Sequence, residues 1–186
     1  MKNRTPFRRC RPWVAVVLVV AYPSGSLATD QQTVDMLAQR CAAGRRDACL
    51  GLASIAREDR AWTIRRAAVE KTTDQRVLAA VARKDRNDLV RSAALERVTD
   101  RRLLAEKARK EYYPVRASAL RNPHLDDQAL LADVIRRMEG PHYEIDILRE
   151  AAARNPTFTD QAFLSQLVRQ DRVEGIRQVA ATKLSD

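Results

Sequence analysis

Glycine and aromatic residues are both scarce: 186 residues hold only 5 Gly, 2 Trp, 4 Tyr and 3 Phe. Strands favour aromatic and β-branched residues, and their tight turns favour glycine, so this shortage argues for helices and against a sheet protein. Histidine is scarcer still, with His124 and His142 alone. His124 follows Asn122-Pro123, on the connection opposite to that of His142, so the two are expected to lie apart. The chain has no Ser/His/Asp arrangement, no glycine-rich phosphate loop and no carboxylate pair that spacing singles out. No catalytic residue, cofactor or metal site is therefore expected, and the chain reads as non-enzymatic.

Long apolar runs are missing too, with one exception near the start. Met1–Pro12 is basic, Trp13–Tyr22 is apolar throughout, and Pro23–Ala28 is small and turn-rich. Ten apolar residues fall short of the roughly 20 needed to span a bilayer. The tripartite pattern is that of a secretory signal peptide, with cleavage expected after Ala28. An uncleaved anchor is the alternative reading. Cys10 precedes the apolar run, where a lipid-acceptor cysteine would follow it. The leader also carries five of the basic residues behind the net charge of +10, and without residues 1–28 the balance is 29 basic to 24 acidic. Half of the charge that would suggest nucleic acid therefore leaves with the leader.

What the chain does have is internal repetition. Five segments open with an aliphatic residue and arginine: Ile64-Arg65, Val90-Arg91, Val115-Arg116, Leu148-Arg149 and Ile176-Arg177. The anchors are 26, 25, 33 and 28 residues apart. Three segments reach an Asp ten residues on (Asp74, Asp100, Asp186), and two carry Asn-Pro and arrive two residues later (Asp127, Asp160). Apolar pairs follow the first four Asp residues, at Val77-Leu78, Leu103-Leu104, Leu130-Leu131 and Phe163-Leu164. Val90, Ala93 and Ala94 share one helical face, and the alanines permit a close neighbour. Thr99-Asp100 is placed to cap the next helix. Each copy therefore reads as two short helices, each too short to be stable alone and each needing the next copy to cover its apolar face.

Val-Arg-x-Ala-Ala followed by Thr-Asp and Leu-Leu resembles a shortened HEAT-type repeat. The copies with Asn122-Pro123 and Asn155-Pro156 resemble the leucine-rich repeat variant, in which Asn-Pro closes the first helix. The resemblance covers about residues 61–186 and implies an all-α fold, a right-handed α-solenoid of short helix pairs: four copies and a terminal half-repeat. Repeats of this kind mostly serve as binding scaffolds, so fold says little about cargo.

Residues 29–60 are expected to form a separate helical hairpin. Val34, Leu37, Ala38 and Cys41 share one face; Leu50, Ala53, Ser54 and Ala56 suggest a second helix; Gly44 is a turn candidate. In one continuous helix Cys41 and Cys49 would be roughly 12 Å apart along the axis, too far for a disulfide. A bridge requires a helix–turn–helix. An oxidising compartment makes a structural disulfide the default; a redox pair and a metal site are the alternatives. The segment Cys41–Leu52 resembles the disulfide-linked version of Sel1-like repeats, which implies the same bridge.

Two surfaces are candidates for function. Stacked copies would align Arg65, Arg91, Arg116, Arg149 and Arg177 into a ladder. Paired with upstream acids such as Asp88, Asp146 and Glu174 it would be structural; unpaired it would be a basic strip for an acidic partner. Tyr112, Tyr113, His142 and Tyr143 precede successive anchors and should share one edge, as a partner-binding patch or as cover for the core. The expectation is a periplasmic or secreted interaction scaffold of the bacterial cell envelope, with a protein partner and no nucleic acid. The alternatives are a nucleic-acid-binding protein like the HEAT-like DNA glycosylases, and a cell-wall-associated protein.

Overall fold

The computed structural model describes residues 29–137 and 143–184. The expected leader over 1–28, His142 and the terminal Ser185-Asp186 lie outside the described residues. Within them the chain forms eleven helices and no strand. They are α1 (Gln31–Ala42), α2 (Arg46–Glu58), α3 (Trp62–Lys71), α4 (Gln75–Lys84), α5 (Asp88–Leu95), α6 (Arg101–Lys110), α7 (Val115–Arg121), α8 (Gln128–Arg137), α9 (Tyr143–Arg154), α10 (Gln161–Gln170) and α11 (Glu174–Lys183). The five aliphatic–Arg anchors fall on α3, α5, α7, α9 and α11.

The aspartates that close the first four motifs start α4, α6, α8 and α10. Asp74 accepts from the Arg76 and Val77 amides, Asp100 from Arg102 and Leu103, Asp127 from Leu130 and Asp160 from Phe163. Each carboxylate satisfies N–H groups that have no partner within the helix and sits at its positive end.

Each odd-numbered helix from α1 to α11 packs on the next odd one. Alanines line this contact: Ala68, Ala94, Ala119, Ala152 and Ala180 are fully buried. Besides the leading α1–α2, the close hairpins are α2–α3, α4–α5, α6–α7, α8–α9 and α10–α11. The second helix of one copy thus folds on the first helix of the next, whereas α3 and α4 of a single copy are not a close pair. Val77-Leu78, Leu103-Leu104, Leu130-Leu131 and Phe163-Leu164 are all buried in one continuous core.

The Asn-Pro copies use their extra residues to build a buried polar seam. Asn122 donates to the Leu95 and Val98 carbonyls at 2.6 and 2.9 Å, and Asn155 to those of Leu120 and Asn122 at 2.7 and 3.0 Å. Lys183 reaches the Asn155 carbonyl and ends the seam. Leu125 and Phe158 fill the core beneath it.

In the leading hairpin, Cys41 and Cys49 form a disulfide with Cα atoms 4.7 Å apart. Gly44 adopts φ +82°, the left-handed geometry that favours glycine and turns the chain between α1 and α2. The face of α2 differs from the expected one. Leu50 points outward and Leu52 fills the core with Ala48, Ala53 and Ala56.

Candidate functional site

One edge carries both candidate surfaces. It is the edge where even-numbered helices end and odd-numbered helices begin. There the anchor arginines lie between helices. Arg65 is only 2% exposed. Its Nε and Nη2 hold both carboxylate oxygens of Asp85 at 2.7 and 2.9 Å, and its Nη1 bonds the Asp59 and Arg60 carbonyls at 2.8 and 3.2 Å. Arg149, 7% exposed, bonds the Ile135 carbonyl and Asp171. Arg91 donates to the Asp85 carbonyl and pairs with Asp88 and, at 3.7 Å, with Glu111. Arg177 donates to the Asp171 and Arg172 carbonyls.

The rule behind these contacts is simple. Arg65, Arg91 and Arg149 each join the end of the even helix before them to the end of the even helix after them, whereas Arg177 reaches the end of α10 alone. The acidic partner is the residue just past that later helix: Asp85, Glu111 or Asp171. In sequence these partners lie 20 to 22 residues past their Arg, whereas acids just upstream of each Arg were expected. Asp88 and Asp146 do lie against Arg91 and Arg149, the latter pair at 3.6 Å. Glu174 does not pair with Arg177; it accepts from Gln178.

Arg116 breaks the series. The sequence places Met138 where the other copies have an acid. Among the described residues the Arg116 side chain makes no hydrogen bond and no ion pair, and its Nε is buried without a partner. Burial lowers its pKa below the usual arginine value, against the opposing pull of Asp133. Asp85 shows the opposite balance. Burial pushes its carboxyl up, but the Arg65 fork, the Asn87 amide and the Arg65 and Arg86 charges outweigh burial and hold it below its ordinary value.

Tyr112 and Tyr113 immediately precede α7, and Tyr143 opens α9. Tyr112 is 86% exposed and Tyr143 69%; Tyr113 is exposed as well. None of the three covers the core. Two further exposed apolar residues lie at the starts of odd helices and were missed in the sequence: Trp62 opens α3 and Leu89 lies in the first turn of α5. Five large apolar side chains thus mark the N-terminal ends of four consecutive odd helices.

Among the described residues, no group of His, Cys, Asp or Glu could hold a metal ion, and no helix is long and apolar enough to cross a membrane. Compared with known protein families, curated proteins and solved structures, the chain matches none.

Proposed function

We propose that the chain is a short α-solenoid of the HEAT-like and leucine-rich-variant type, exported to the cell envelope, that acts as a non-enzymatic scaffold for a protein partner. The observation that carries this reading is the apolar row of Trp62, Leu89, Tyr112, Tyr113 and Tyr143. Aromatic side chains set on a rigid edge give large contact area at little entropic cost, and such residues dominate protein interfaces. The row runs along the starts of α3, α5, α7 and α9, which suits an extended partner.

The arginine series supports the scaffold reading against nucleic acid. Arg65 and Arg149 are buried and bonded to Asp85 and Asp171, so they are not free for phosphate. The disulfide supports export, since such bonds persist in oxidising compartments. Cleavage after Ala28 remains part of the proposal.

The test is site-specific photocrosslinking in cells expressing the full chain. A crosslinker at Tyr112 or Tyr143 should trap the same protein, and one at His124 on the opposite edge should not. Tyr113→Ala should abolish the adduct without lowering the melting temperature. A large loss of melting temperature, or equal trapping from His124, would sink the edge as a binding surface.

A further inference from the structure

A cavity of about 450 Å³ lies between the C-terminal ends of α8 and α10 and the flank of α9. Its size is that of a small-ligand site. Arg136, Arg149, Phe163, Gln166, Leu167 and Gln170 line it. A smaller cavity, about 190 Å³, sits at the equivalent place between α2, α3 and α4. Comparison of the two exposes what is unusual about the larger one.

In the smaller cavity Arg65 has a partner for every guanidinium nitrogen. Arg149 does not. Its Nε and Nη2 are bonded, but its Nη1 is buried with no hydrogen-bond partner among the described residues. A carboxylate oxygen of Asp146 is 3.6 Å away and already accepts from Arg172 at 2.9 Å. A buried N–H of this kind is costly unless an acceptor reaches it. Among the described residues, the charged groups around it are the guanidiniums of Arg136, Arg149 and Arg172 and the carboxylates of Asp146 and Asp171. Arg136 is the unpaired one: among the described residues it makes no ion pair, and its guanidinium lies 4.3 Å from the centre of the Phe163 ring. The remaining wall is apolar, from Ile135, Phe163 and Leu167.

A single unpaired guanidinium beside an unmatched N–H suits a monoanion rather than a phosphate ester. The apolar wall suits a carbon substituent beside that anion. We infer that this cavity binds a carboxylate carrying an apolar group, with the carboxylate on Arg149 Nη1 and Arg136 and the apolar group against Phe163 and Leu167. A free N-acylated amino acid and the C-terminus of a peptide both present this chemistry. The site stands apart from the apolar row, because none of its lining residues belongs to that row.

The test is calorimetric titration of the full chain with N-acetyl-leucine, with N-acetyl-leucinamide, and with a tripeptide ending in leucine in free-acid and amide forms. The acid of at least one pair should bind, and its amide should bind about tenfold or more weakly, as loss of a charged hydrogen bond requires. Binding of both acids assigns the site to small carboxylates; binding of the peptide acid alone assigns it to chain termini. Gln166 and Gln170 are exposed, so Gln166→Glu with Gln170→Glu should preserve the melting temperature and still weaken the acid by a similar factor. Arg149→Lys, which removes the guanidinium fork, should abolish binding; if that protein fails to fold, the exposed double variant decides. Absence of binding by either acid, equal binding of acid and amide, or no effect of the double variant would each overturn the inference.

Discussion

A single aspartate illustrates how residue-scale chemistry holds the copies together. Asp85 grips Arg65 with its carboxylate and offers its carbonyl to Arg91, so one residue joins three helices. Asp85→Ala should therefore cost about 3–5 kcal/mol in urea unfolding, because it leaves a buried guanidinium without its counter-ion. Glu70→Ala, which breaks an exposed pair with Arg66, should cost no more than about 1 kcal/mol. The pH dependence follows from the lowered carboxyl of Asp85. A carboxylate with a depressed folded-state pKa contributes its stabilisation above the ordinary value of 3.8, and loses it as pH falls through the lower folded value. The Asp85→Asn protein should lack that part of the acid limb. Equal acid unfolding of both proteins would contradict the assignment. At this scale the Arg positions were legible as a series, because each recurs at a fixed place after an aliphatic anchor. Their partners were not, since an acid twenty residues away gives no local signal until the helices are stacked.

Elements were more readable than their pairing. The capping aspartates announced the even helices, because an Asp before an apolar pair has a definite job at a helix start. The hairpin phase was hidden, since each helix has one apolar stripe and the stripe does not say which neighbour covers it. The same ambiguity misplaced Leu50: it and Leu52 are both leucines, and only packing against α3 and α4 separates them. The α1–α2 hairpin closes a loop of nine residues by its disulfide. Cys41→Ser with Cys49→Ser should lose about 2.6 kcal/mol on the chain-entropy model. The loss should be confined to the leading hairpin, read as faster amide exchange in α1 and α2 with α9–α11 unchanged.

Across the whole molecule, contacts run from each helix to its near neighbours along the row, so stability should behave as a sum of local junctions. Those junctions are unequal. Along the edge of arginines Arg116 makes no ion pair among the described residues, while along the opposite edge the Asn122 and Asn155 seam continues through the same copies. Hydrogen exchange should show lower protection at the end of α8 than at the ends of α4, α6 and α10. Equal protection at all four would mean that packing alone sets junction strength.

The unpaired Arg116 has a mechanical consequence. A row fastened along both margins resists bending more than one fastened along a single margin. Pulling on the arginine margin should therefore part the row first between α7 and α8, where the bonds of Asn122 and Asn155 hold the opposite margin.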